Sequence, residues 1–122
     1  MARVMVVDDS PTDKAYLRQV LEGAGYEVLE AATGQDAIDM ARQQKPDCVV
    51  MDVVMPGMNG FQATRVLSKD PATAGIPIIV VSSKNQATDR LWALRQGARE
   101  YVVKPVKEDE LIGKVREAVG GQ

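Results

Sequence analysis

The sequence predicts an α/β fold: a doubly wound, five-stranded parallel sheet covered by five helices. Three observations carry this. Five short apolar runs are present, and several are almost continuously Val, Ile and Met, without the polar alternation of a half-exposed strand, as expected for a sheet buried on both faces. Amphipathic stretches with helical spacing lie between and after these runs. Glycine and proline fall at the joins.

Taken in order, the first strand is expected at residues 4–7 and the first helix after it. Ser10 suits the N-cap, Pro11 the first helical position and Asp13 the acid of a capping box. Leu17, Val20, Leu21 and Ala24 share that helix's apolar face, and Gly23 and Gly25 mark its end. A second strand is expected at 27–31, then a helix on the stripe Ala37, Ile38 and Ala41, closed before Pro46. The third strand, 47–52, leads to a helix striped by Phe61, Thr64 and Leu67. The fourth, 77–81, leads to one striped by Leu91, Leu94 and Ala98, with Gly97 at its end. The fifth, 101–103, leads to a last helix on Leu111, Ile112, Val115 and Val119, with a frayed tail at 120–122. Crossovers should be right-handed, and 122 residues fit one domain.

Composition narrows the function classes. With 15 basic and 17 acidic residues the net charge is −2, which disfavours non-specific binding to nucleic acid or a membrane surface. There is no histidine, so imidazole catalysis and histidine metal ligands are excluded within the chain. Cys48 is the only cysteine and sits in an apolar run, where it reads as a small hydrophobe and not as a disulfide or cluster ligand. Met40, Met51, Met55 and Met58 read as packing and loop residues. No secretory segment or long apolar span is evident, so the cytoplasm is the expected location.

One run poses a question. CVVMDVVMP, from Cys48 to Pro56, holds a single carboxylate, Asp52, among apolar residues, and burying an unpaired charge is costly. Ligands of open α/β sheets bind beyond the carboxyl ends of the strands. There the sequence places Asp8-Asp9 after strand one, Asp52 after strand three, Ser82-Ser83 after strand four and Lys104-Pro105 after strand five. Two unit charges 4 Å apart interact by roughly 4 kcal/mol at an effective dielectric near 20, so three clustered carboxylates call for protonation or a cation. An all-oxygen site with few ligands suits Mg²⁺, with Mn²⁺ as a substitute. Carboxylate, divalent metal, ammonium and hydroxyl are together the parts that hold a phosphoryl group in transfer, and one carboxylate can be its nucleophile.

MVVDDSP, VVMDVVMPGMNG, VVSS and YVVKP, in this order, resemble the response-regulator receiver domain of the CheY type, over essentially the whole chain. The resemblance implies a flavodoxin-like sheet in the order 2-1-3-4-5 and one receiver domain over 1–122. It implies that Asp52 is the phosphoacceptor. Asp9, Asp52 and the backbone carbonyl of Val54 should ligate Mg²⁺ directly, and Asp8 through a metal-bound water. Lys104 should pair with Asp52 and then with the phosphoryl oxygens. Ser82 is the expected switch hydroxyl, Tyr101 its rotating aromatic partner, and Lys104-Pro105 a cis peptide. Pro56, Gly57 and Gly60 should shape the loop beside the site. Val54 and Lys84 occupy the positions expected to tune phosphoryl lifetime, and neither favours fast hydrolysis.

The implied function is a stand-alone response regulator that accepts a phosphoryl group from a sensor histidine kinase and changes its affinity for a downstream protein. Such a chain is not an enzyme beyond self-catalysed phosphotransfer and autodephosphorylation. Asp8-Asp9-Ser10-Pro11-Thr12, the run from Met58 to Arg65, and Trp92 with Arg95-Gln96-Gly97-Ala98-Arg99 are similar to the regulators of type IV pilus twitching motility. That implies a CheA-like kinase, with flagellar chemotaxis or a phosphate-sink role as alternatives. Trp92 lies off its helix's expected stripe; it is either a packing residue or, with Tyr101, part of a partner face. A monomer is expected. An interaction module working without phosphorylation is the competing class. An aspartate-nucleophile phosphatase is disfavoured because Val54 stands where a second acid is needed. A flavodoxin is disfavoured because three aspartates would face its anionic phosphate.

Overall fold

The computed structural model describes residues 1–120; Gly121 and Gln122, and with them most of the tail expected at 120–122, lie outside the described residues. The elements run β1 (Arg3–Val7), α1 (Pro11–Gly23), β2 (Glu27–Ala31), α2 (Gly34–Gln44), β3 (Cys48–Asp52), α3 (Gly60–Lys69), β4 (Ile78–Ser82), α4 (Ala87–Arg95), β5 (Glu100–Val103) and α5 (Glu108–Ala118). All strand pairs are parallel, in the order β2-β1-β3-β4-β5, as the resemblance implied. Strand limits move by one residue from expectation at several ends. The shift matters once, because it makes Ser82 the last residue of β4.

Alternate strand residues face opposite sides. Met5, Val7, Val49, Met51, Ile78 and Val80 pack under α2, α3 and α4, whose Ala37, Ile38, Ala63, Leu67 and Ala93 close that layer. Val4, Val6, Val50, Ile79 and Val81 pack under α1 and α5 through Leu17, Val20, Leu21, Leu111 and Val115. Cys48, Val49, Val50 and Met51 are each fully buried. At roughly 1.5–3 kcal/mol for each large apolar side chain buried, the strand easily offsets the cost of a charged residue at its end. Cys48 is inert packing, its thiol pushed up to about 12 by burial. Met51 and Met55 are buried, and Met40 and Met58 pack against the core.

Helix starts are fixed by side-chain caps. Ser10 accepts the Asp13 backbone N–H at 3.3 Å and Thr33 that of Asp36 at 3.0 Å. Asn59 and Gln62 form a reciprocal box at the start of α3, each bond 2.9 Å. The box expected from Asp13 is only half made. The Ser10 backbone N–H goes to Asp8 Oδ1 instead, at 2.9 Å, which leaves the Asp13 carboxylate for another partner.

The fourth helix departs from its expected face. Leu91 and Leu94 are exposed, and Ala93 is the buried residue of α4. The helix rests on the sheet through a small side chain and turns its large apolar ones outward. No helix among the described residues is long and apolar enough to cross a membrane.

Candidate functional site

Four strands, β1, β3, β4 and β5, end where the expected site residues meet. β1 delivers Asp8, whose backbone N–H donates to the Ala31 carbonyl at 3.1 Å and whose side chain is 1% exposed. Asp9 follows and is exposed. β3 delivers Asp52, 7% exposed. Carboxylate oxygens of Asp8, Asp9 and Asp52 all lie within 4.8 Å of one another. β4 and β5 are stitched at their ends by the Lys104 backbone N–H, which donates to the Ser82 carbonyl at 2.8 Å. That bond sets the root of the Lys104 side chain beside the acidic cluster.

The Lys104 ammonium forms an ion pair with Asp52 Oδ1 at 3.1 Å, the expected pairing. It also reaches Asp8 Oδ2 at 3.4 Å and Asp13 Oδ2 at 3.0 Å. Asp13 is a site residue that sequence reasoning assigned to helix capping alone. The signal that could have found it was the aspartate pair at Asp8-Asp9, whose first member caps the Ser10 N–H and makes a second capping acid redundant. The charges leave a net deficit of positive charge. Burial pushes the Asp52 carboxyl above its ordinary value, the Asp8 charge adds to this, and Lys104 offsets only part. Burial works against the Lys104 ammonium, but the hydrogen bond it donates to Asp13 and the charges of Asp52 and Asp8 hold it well above the usual lysine range.

The remaining residues frame this centre. Ser82 is 1% exposed, and its hydroxyl accepts the Lys84 backbone N–H at 3.1 Å. Tyr101 is 4% exposed in the interior position, where its phenol donates to the Lys84 carbonyl at 2.7 Å. Ser82 and Tyr101 therefore grip the same residue from two sides. The Lys104-Pro105 peptide is cis, as expected. Val54, two residues past Asp52, is 63% exposed and brings no polar side-chain group to the mouth of the site. Gly57 takes φ +72°, open to glycine at little cost, and Gly60 packs directly on the Asp52 backbone. Of the two residues expected on a partner face, Trp92 is half exposed beside Leu91 and Leu94, whereas Tyr101 is buried.

The sequence and the fold that bring three acidic strand-end residues, one lysine and a buried hydroxyl together are shared with known proteins. The family model of the response regulator receiver domain matches residues 4–116. Protein PilH of Pseudomonas aeruginosa is 52% identical over 99% of this chain and 100% of its own length. The DNA-binding response regulator MtrA of Mycolicibacterium smegmatis is 39% identical over 93% of this chain, which spans 49% of that protein. A response regulator structure from Chloroflexus aurantiacus superposes with TM-score 0.93 at 30% identity, covering 97% of both chains. The receiver domain of a sensor histidine kinase from Pseudomonas aeruginosa, solved with magnesium coordinated in its active-site cleft, superposes with TM-score 0.90 at 28% identity over 98% of both chains. The fold, the converging strand ends and the match across nearly the whole sequence lead to one conclusion: this chain belongs to the response regulator receiver domain family.

Proposed function

We propose that the chain is a single, stand-alone receiver unit in which Asp52 accepts a phosphoryl group from a sensor histidine kinase. The observation that carries this reading is the Asp52–Lys104 pair at 3.1 Å inside a cluster of carboxylates of which Asp8 and Asp52 are buried. A structural ion pair would not need two further acids held beside it. A nucleophilic carboxylate with an ammonium ready for the incoming phosphoryl oxygens does.

The donor set fits Mg²⁺. Three carboxylates converge, one lysine does not neutralise them, and Asp52 is destabilised as an anion. Asp9, Asp52 and the Val54 carbonyl would hold the ion, with Asp8 acting through a water; Mn²⁺ meets the same oxygen donors. When bound, the ion supplies the positive charge that lets anionic donor and carboxylate approach. An Asp52 oxygen attacks phosphorus in line, the bond from phosphorus to the kinase histidine breaks, and the imidazole leaves with its electron pair. Lys104 moves its contact from Asp52 to a phosphoryl oxygen. Ser82 turns its hydroxyl from Lys84 toward the same group. Tyr101, already inside, is held there, and a two-state element is biased by local charge.

The half-exposed Leu91, Trp92 and Leu94 of α4 offer the apolar surface for a downstream protein. Full-length similarity to PilH, with the sequence resemblance to twitching-motility regulators, supports a CheA-like kinase and a role in pilus-based motility. The unit works as a cytoplasmic monomer. Mg²⁺-dependent labelling by acetyl phosphate tests the reading: the wild type is labelled and Asp52→Ala is not. Labelling that survives in Asp52→Ala rejects Asp52 as acceptor.

A further inference from the structure

Helix α1 touches the β5–α5 loop at two polar points that the phosphoacceptor reading leaves unused. The Asp13 carboxylate accepts from the Lys104 ammonium at 3.0 Å. The Tyr16 phenol donates to the Val106 backbone carbonyl at 2.9 Å, across 90 positions of sequence. Asp13 and Tyr16 are three apart and so share one face of α1. Between them they hold the residue that carries the ammonium and the backbone two residues beyond it.

We propose that Asp13 and Tyr16 form a clamp through which α1 positions Lys104 for phosphoryl transfer, an inference that rests on Asp52 being the acceptor. An ammonium has three N–H donors. Here three carboxylates surround it, at 3.0, 3.1 and 3.4 Å, with Asp13 and Asp8 accepting hydrogen bonds and Asp52 completing the ion pair. Asp52 and Asp8 attract Lys104 inward; Asp13 supports it from the outer side. A groove of about 640 Å³ opens between α1 and the loop, lined by Thr12, Asp13 and Tyr16 on one side and Lys104, Pro105 and Val106 on the other. Without Asp13, the flexible four-carbon stem of the lysine has room to turn into that groove. Capping does not explain Asp13, because the Ser10 N–H it would accept is taken by Asp8. Nor does stability, since a half-exposed ion pair contributes little to folding. Tyr16 acts at one remove by fixing the loop backbone, so both are positioning residues.

The test uses the full chain and the variants Asp13→Asn, Asp13→Glu and Tyr16→Phe, each checked for native circular dichroism. Loss of one charge-assisted contact should lower the maximal rate of Mg²⁺-dependent labelling by acetyl phosphate about three- to tenfold in Asp13→Asn. Tyr16→Phe, which changes no charge, should lower it about two- to threefold. The half-saturating acetyl phosphate concentration should hold within about twofold, since neither side chain binds the donor in its ground state. Asp13→Glu should recover most of the rate. Without metal or donor, the ¹⁵N-resolved ammonium signal of Lys104 should be sharp in the wild type and broadened by faster proton exchange in Asp13→Asn. The clamp is overturned if Asp13→Asn labels at the wild-type maximal rate or faster with its Lys104 signal unchanged, or if glutamate restores nothing. A wild type that takes no label, or that labels equally as Asp52→Ala, overturns the acceptor reading instead, and the metal-free spectrum still reports on the clamp.

Discussion

Gly60 lies against the backbone of Asp52 so closely that a β-carbon on it would stand 1.9 Å from the Asp52 carbonyl oxygen. The Gly60 N–H also donates to the Val53 carbonyl at 2.8 Å, so the first turn of α3 is docked on the end of β3. The obstacle is backbone and cannot rotate away. Gly60→Ala should therefore cost about 2–3 kcal/mol, in the upper part of the range for overpacking. The contrast is Gly113, inside α5 with nothing within 4 Å of an added β-carbon. There the same substitution should add about 0.5–1 kcal/mol through helix propensity. Urea unfolding of both variants checks the pair. A Gly60→Ala midpoint equal to the wild type would mean that α3 does not hold Asp52 in place.

Asp52 should be a net cost to the fold in the absence of metal. Burial and the Asp8 charge raise its pKa beyond what Lys104 recovers. A carboxyl whose folded pKa exceeds its unfolded value binds its proton more tightly in the native state. Stability therefore falls as pH rises from the ordinary carboxylate range through the raised value, and the cost is fully present above it. Asp52→Asn carries no such proton and should be the more stable protein at pH 7.5 in chelator. The difference should shrink toward zero as the pH is lowered below the ordinary carboxylate range. Matched urea curves across this interval decide it, and an Asp52→Asn protein less stable at pH 7.5 would show that Lys104 outweighs burial.

Divalent metal should reverse that order. An ion bound only by the native state stabilises it by RT ln(1 + [L]/Kd), about 2.7 kcal/mol at a hundredfold excess over Kd. The wild-type melting temperature should climb with Mg²⁺ and return on chelation. Asp52→Asn and Asp9→Asn should respond little, because each removes one of three converging carboxylates. Equal gains in all three proteins would point to general screening and not to a site.

The strands were legible because a parallel sheet covered on both sides demands unbroken apolar runs, and β3 and β4 are of that kind. The strand-end chemistry followed, since the ends of such a sheet converge wherever its connections run. What the sequence hid has two physical sources. The stripe Leu91, Leu94 and Ala98 has helical spacing, yet α4 buries Ala93 and exposes both leucines. Periodicity finds an apolar face but does not say whether the sheet or a partner covers it. Asp13 suited a capping box, and its turn toward Lys104 depends on a residue 91 positions away. Local spacing carries no record of such a meeting.

The phosphoryl lifetime turns on what stands beside Asp52. Hydrolysis of an aspartyl phosphate needs a water oriented in line with the phosphorus–oxygen bond. Val54 is 63% exposed at the mouth of the site and has no group to hold that water. Lys84 is exposed as well, and its backbone is engaged by Ser82 and Tyr101. Slow decay is the expected outcome. Val54→Asn places an amide donor and acceptor where the water must sit and should speed decay about tenfold, less than the roughly hundredfold or more that a positioned general acid or base contributes, because an amide orients the water without taking its proton. The substitution lies on the surface and should leave stability within about 0.5 kcal/mol. A decay course of purified, acetyl-phosphate-labelled protein after removal of donor measures both lifetimes. Wild-type label lost within seconds, or an asparagine variant that decays no faster, would shift control of the lifetime away from this position and toward the hold that Lys104 keeps on the phosphoryl oxygens.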